Sequence, residues 1–255
     1  MKKIIILAQK SFCKSFRSRV FFVFFLFAIM LIFLSILLSL LTFTEEIKII
    51  KDVGLAVISI FSSLIAIFLS AEAVVGEIEK KTIYILLSKP TDKKSFLFGS
   101  FLGIIWTVGI AILINGGTLI FLIYLKQSSV DPGILLALLF MELEVLVITS
   151  IGIMFSSLSS SALTSTFLCL FLYLLGHLNP QLIALKKVVQ SQITKGFLTL
   201  VSVVIPNLEL FNIREMVVEG KLINLIYTGK IAFYSLIYSG ICLIIAYLLF
   251  EKREF

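Results

Sequence analysis

The sequence predicts an all-α, polytopic membrane protein with six transmembrane helices and an N-terminal amphipathic helix at the membrane surface. Three observations carry this. Hydrophobic residues make up 60% of the 255 positions and charged residues only 15%, against roughly 45–50% and about 25% in soluble domains. The apolar residues stand in long continuous runs, whereas a membrane β-barrel alternates apolar and polar residues in short strands. Basic residues flank those runs, as topology signals do. With no water to satisfy peptide groups in the bilayer, helices are the spanning structure that fits.

Residues 1–19 hold six cations, Lys2, Lys3, Lys10, Lys14, Arg17 and Arg19. At 100° per residue Ile5, Ala8, Phe12 and Phe16 share one face, nearly opposite Lys3, Lys10, Lys14 and Arg17, which predicts an interfacial helix. The run that follows, 20–43, is too long for a signal peptide's apolar core of about 7–15 residues. It is read as an uncleaved first span. Further spans of about 20 residues are predicted at 54–75, 96–125, 133–157, 162–178 and 228–250. The third is long enough to tilt or to break at Asn115-Gly116-Gly117. Segment 179–227 is neither loop nor span: its apolar stretch from Gly196 to Ile205 is too short to cross, and Pro206 ends it. Amphipathic or re-entrant helices on the external side are expected there. The 24 phenylalanines read mostly as lipid-facing bulk.

Five lysines (Lys80, Lys81, Lys89, Lys93, Lys94) follow the second run, and Lys252 and Arg253 close the chain. Loops 44–53 and 126–132 hold only Lys48, Lys51 and Lys126. The positive-inside rule therefore puts both termini and loop 76–92 in the cytoplasm, consistent with an even number of spans. The five basic residues of 179–227 run against this. They are spread over nearly fifty residues and partly balanced by Glu209, Glu215 and Glu219.

The stretch Gly76-Glu-Ile-Glu-Lys-Lys-Thr-Ile-Tyr-Ile-Leu-Leu-Ser-Lys-Pro90 is a polar island in this apolar chain. Glu77 precedes Lys81 by four residues, the favourable order for a helical ion pair. Ile78, Thr82, Ile85 and Leu86 share a face that suits a partner's groove. Pro90 stops the helix, and Thr91 or Asp92 can cap the next. The island comes close to the phosphate-binding pattern G-x-x-x-x-G-K-[ST], but Lys80 replaces the second glycine and a membrane helix precedes it, so nucleotide binding by this chain is rejected.

Glu77 to Pro90, followed by Lys93, Lys94 and Gly99, resembles the signature loop of type-2 ABC transporter permeases: an acidic helix start, a Gly-Thr or similar pair, Leu-Leu-Ser, a proline, then basic residues and a span. Lys81 stands where the family often has glycine, and Lys93 and Lys94 where arginine is frequent. The amphipathic N-terminus, the six-span plan and Ser156-Ser-Leu-Ser-Ser-Ser161 fit the same family. Pro206-Asn-Leu-Glu-Leu-Phe-Asn212 is similar to a segment of its branch linked to multicopper-enzyme maturation. The resemblance implies a homodimer or heterodimer of permease chains in a prokaryotic inner (cell) membrane, each bound to a separate ABC ATP-binding subunit that carries ATP and Mg. This chain would bind no cofactor of its own. Loop 76–92 would contain a cytoplasmic coupling helix, with Glu77, Ile78, Glu79, Thr82, Leu86, Leu87 and Pro90 contacting the ATPase. Export is the expected direction.

Glu142 and Glu144 fall inside the fourth span, where carboxylates are costly and suggest a transport path or a partner. Two residues apart on a helix, they face different ways. His177, the only histidine, is expected to cap or end a helix rather than hold a metal. Cys13, Cys169 and Cys242 show no disulfide or metal-ligand spacing. Gly99-x-x-x-Gly103 permits close helix contact, within a dimer among other places. One histidine, no G-x-S-x-G and no H-E-x-x-H exclude the common intramembrane hydrolases. The net charge of +7 is accounted for by topology and lipid contact, not nucleic acid. An ion-driven secondary transporter using Glu142, or a non-transporting anchor for a partner complex, stays as the alternative.

Overall fold

The computed structural model describes residues 2–39, 46–79, 92–127, 131–189, 191–221 and 223–252. Among these every regular element is a helix. In chain order they are α1 (Lys2–Phe16), α2 (Arg19–Ser39), α3 (Glu46–Ala71), α4 (Val75–Glu79), α5 (Lys93–Gln127), α6 (Pro132–Leu158) and α7 (Ala162–His177). Then come α8 (Asn179–Val188), α9 (Gln192–Val204), a 3-10 turn (Leu208–Phe211), α10 (Arg214–Val218) and α11 (Leu225–Glu251).

Five of these stretches are long and apolar enough to cross a membrane, and a sixth if α7 and the start of α8, bent by 54° at Leu178, count as one broken span. By itself the 16-residue α7 rises roughly 24 Å at 1.5 Å per residue, short of the ~30 Å hydrocarbon core. The fifth span expected at 162–178 thus reaches spanning length only if α7 and the start of α8 count together.

Two other elements differ from the sequence reading. Helix α3 starts at Glu46, not near residue 54. Charge marked 46–53 as a loop, but three of its four charges form ion pairs across the fold: Lys51 with Asp131 at 2.6 Å, Glu46 with Lys126 at 2.5 Å and Asp52 with Arg214 at 2.9 Å. Pairing lets the helix continue through them. Helix α5 runs unbroken through Asn115-Gly116-Gly117. The Asn115 side chain donates to the Ala111 carbonyl at 2.9 Å within its own helix, and the bare surface of Gly116 receives the Leu138 side chain.

The core lies where α3, α5 and α6 meet, with Ile58, Ile65, Ile104, Val108, Phe140 and Val145 buried. Helix α11 packs on α6. Helix α2 is held to α3 by aromatic contacts, Phe24 with Phe61 and Phe68 at 6.0 and 5.4 Å and Phe27 with Phe61 at 5.5 Å. Phe21, Phe140 and Phe250 are fully buried and belong to the core rather than to the lipid-facing majority.

Helix α1 crosses α5 at Gly99 and Gly103. A Cβ on Gly103 would lie 2.6 Å from the Ala8 carbonyl oxygen and 2.8 Å from the Phe12 nitrogen. The small-residue pair is thus used inside one chain, with Ala8, Ser11 and Ser15 supplying the matching small side chains. Ile5 and Ile6 stay exposed.

At one end of the bundle lie α1, the α3–α4 corner, the start of α5 and the end of α11, where Lys93 reaches the Phe250 and Glu251 carbonyls and Phe96 stacks on Phe250. The opposite end holds the ion pairs of 46–52 and the 206–218 segment. There Asp131 caps α6, accepting from the Gly133 N–H at 2.9 Å. Burial alone would raise the Asp131 pKa. The Lys51 ammonium and the Gly133 N–H outweigh it and hold the carboxyl below its ordinary value.

Candidate functional site

The polar island begins at a sharp corner. Helix α3 ends at Ala71, three residues turn, and α4 starts at Val75. A restarting helix leaves N–H groups without intrahelical partners, and here these are buried: Val74 and Val75 have no exposed surface. Both N–H groups donate to one acceptor, the Ser156 Oγ at the end of α6, at 3.0 and 3.1 Å. Gly76 gives room to the Glu72 side chain beside it.

Each described residue of the predicted contact set points somewhere definite. Glu77 is buried, at 8% exposure, and its carboxylate meets the Lys14 ammonium of α1 at 2.6 Å. Ile78 packs on the core. Glu79 is exposed on its outer side, and its Oε1 accepts from the Ala162 N–H at 3.2 Å, at the positive end of the α7 dipole. Thr82, Leu86, Leu87 and Pro90 lie outside the described residues. A crevice of about 400 Å³ opens beside the corner, lined by Lys10, Lys14, Glu72, Glu77, Phe96 and Ser100 among others.

The corner is therefore tied to three helices by three different contacts: to α6 through Ser156, to α1 through Lys14 and to α7 through Glu79. Sequence reasoning found the acidic residues but missed Lys14 and Ser156. Lys14 was one of six interchangeable topology cations, and Ser156 one of a row of serines; neither carries a local mark of its partner.

The two carboxylates of α6 face different neighbours, as their spacing predicts. Glu144 is buried at 3% exposure. Its Oε1 lies 3.2 Å from His177 Nε2, and the other ring nitrogen lies 3.1 Å from Glu209 Oε2 on the 3-10 turn. Tyr173 packs edge-on against the imidazole at 4.8 Å. His177 ends α7, as expected, and it also bridges α6, α7 and the 206–212 segment. A carboxylate inside a span needs a partner, and the only histidine was the available signal. A neighbouring cavity of about 220 Å³ reaches from His177 to Arg214 and Ser59. The 206–212 segment is itself held by tyrosines of α11: the Asn207 N–H donates to the Tyr234 hydroxyl at 3.0 Å, and Tyr227 donates to the Leu210 carbonyl at 2.9 Å. Among the described residues no three His, Cys, Asp or Glu side chains converge on a possible metal site. Glu142 faces the other way, against Gly109 of α5, where a Cβ would lie 3.0 Å from its Oε1.

A helical bundle of five or six membrane-crossing stretches, with a tightly tied corner at one end and buried polar bridges at the other, defines the chain as a polytopic integral membrane protein. The family model described as "ABC-2 family transporter protein" matches residues 5–255. The chain belongs to that family, and it is a membrane permease subunit of an ABC transporter, a class that works with an ABC ATP-binding subunit. A search of the curated proteins found no match.

Proposed function

We propose that two copies of this permease form a homodimer in a prokaryotic inner membrane and export a substrate. A separate subunit, loaded with ATP and Mg, drives them through the cytoplasmic loop 76–92. Both termini lie in the cytoplasm with that loop, and 179–227 faces outward. The observation that carries the reading is the corner at 72–79. A segment tied at once to α1, α6 and α7 passes any displacement to all three, so a partner gripping the adjoining residues moves the bundle rather than a loop.

In this reading Glu77 contributes through Lys14 and Glu79 through α7, while Thr82, Leu86, Leu87 and Pro90 form the outer contact. The test uses the permease co-purified and reconstituted with its ATP-binding subunit. Lys14→Glu and Glu77→Lys each place like charges together and are expected to lower transport-coupled ATPase by roughly fivefold, the factor that ~1 kcal/mol at a half-exposed pair represents. The double swap should restore most of it. Single variants with unchanged assembly and turnover would overturn the proposal.

A further inference from the structure

Glu142 lines a groove of about 620 Å³ between α1, α5 and α6. Its other walls are mostly apolar: Ile5 and Phe12 from α1, where Gln9 is the one other polar side chain among the described residues, and Trp106, Ile110 and Leu113 from α5. The groove opens to the outside of the bundle, since Ile5 is 55%, Trp106 46% and Leu113 66% exposed. Glu142 itself is half-buried, and among the described residues it has no hydrogen-bond or ion-pair partner. Among the described residues no Lys, Arg or His lines the groove; Lys10 and Lys14 belong to the crevice on the other side of α1. Gly109 lets the carboxylate lie against the α5 backbone. Glu144, two residues on, has an imidazole at 3.2 Å, so the same helix provides for one carboxylate and leaves the other open.

An unpaired carboxylate among hydrocarbon side chains is complementary to a cation that brings its own apolar surface. Such a cation escapes most of the desolvation cost that a hydrated metal ion or a lysine would meet. The exposed Trp106 ring adds a face that attracts cations, most strongly when water is excluded. The volume lies in the range, about 300–1,000 Å³, that holds a drug-sized molecule. We propose that this groove is a membrane-open binding site for lipophilic organic monocations. The charge sits between Glu142 and Trp106, and the apolar body lies along Phe12, Ile110 and Leu113. An aminophospholipid fits less well, because its phosphate would come within a few ångströms of the carboxylate where charges are poorly screened. The site is independent of how the ATPase drives the chain, and its test needs no turnover.

Trp106 is the single tryptophan of the sequence, so intrinsic fluorescence reports on the groove. The full chain is placed in phosphatidylcholine nanodiscs and titrated with tetraphenylphosphonium, or with tetraphenylborate as an anion of similar size and shape. The expected result is saturable quenching by the phosphonium alone, weakened at least tenfold in Glu142→Gln and largely kept in Glu142→Asp. A parallel titration in nanodiscs containing phosphatidylethanolamine should leave the phosphonium affinity unchanged. Four results would each overturn the site: equal affinity in Glu142→Gln, equal quenching by the borate, competition by phosphatidylethanolamine, or no saturable quenching because a second copy of the chain covers the groove. Glu142→Gln nearly preserves volume, and retained monodispersity with an unchanged Trp106 emission maximum before titration shows that it has folded.

Discussion

Ser156 is one hydroxyl on which a whole corner depends. Its Oγ accepts from both Val74 and Val75 N–H groups, and all three residues have no exposed surface. Ser156→Ala removes the acceptor without a steric clash and leaves two buried donors unpaired. Each orphaned donor costs about 1–3 kcal/mol, so the corner loses roughly 2–6 kcal/mol, toward the lower figure if the turn at 72–74 relaxes onto a water. Hydrogen exchange with mass spectrometry, read on a peptide covering residues 70–79, measures this directly. A loss of ~2 kcal/mol speeds exchange about 30-fold. Ser156→Thr retains a hydroxyl and should keep most of the protection. In the reconstituted complex the alanine variant should also lower coupled ATPase, because the corner would move without carrying α6. Wild-type protection of Val74 and Val75 in Ser156→Ala would refute the account of how the corner is held.

The close crossing of α1 over Gly103 predicts that Gly103→Leu pushes α1 away, at the ~1–3 kcal/mol typical of overpacking. Bismaleimide cross-linking in a Lys14→Cys/Glu77→Cys background without Cys13 should fall, whereas Gly117→Leu, at a position where an added Cβ meets nothing within 4 Å, should leave it unchanged. The Lys51–Asp131 pair makes a pH prediction. Its carboxyl is depressed in the fold, so its stabilisation is complete above the ordinary carboxylate pKa of about 3.9 and is lost as pH falls through the lower folded value. Thermal unfolding in detergent should show no Asp131-dependent change between pH 5 and 8. Below about pH 4 the wild type should approach Asp131→Ala. Asp131→Asn, which keeps a cap acceptor for the Gly133 N–H, should be more stable than the alanine variant at every pH.

The fold class was legible because it depends on composition and run length, which are properties of the sequence alone. The family was legible because Glu77 to Pro90 is a continuous string. The misreadings share one physical origin. Loop or helix at 46–53 turned on whether Glu46, Lys51 and Asp52 had partners, and those partners, Lys126, Asp131 and Arg214, lie about 80 to 160 residues away. Of the tilt or break left open at Asn115-Gly116-Gly117, the break rested on propensity, and the helix runs on with the Leu138 side chain against Gly116. Gly99-x-x-x-Gly103 announced a close helix contact but not which helix, and α1 was available in the same chain. Ser156 and Lys14 were unmarked for the same reason: what singles them out is the element on the other side of the contact.

Glu142 and Glu144 show how far the sequence argument reaches and where geometry takes over. Spacing alone established that the two carboxylates cannot face one way. It could not say which, if either, was structural. In the fold Glu144 meets His177, and through it Glu209, so it has a hydrogen-bonding partner within the bundle, and the three side chains tie α6 to α7 and the 206–212 segment. Glu142 faces α1 and α5 at a point where the helix surface is bare glycine and the walls are apolar. A buried carboxylate that the bundle already satisfies has little left to offer a ligand, because any cation must first displace its partner. One that the bundle leaves open is ready for a cation. Of the two residues first picked out for a transport path, Glu142 is therefore the one left for the proposed cation, while Glu144 is engaged in tying α6 to α7 and the 206–212 segment.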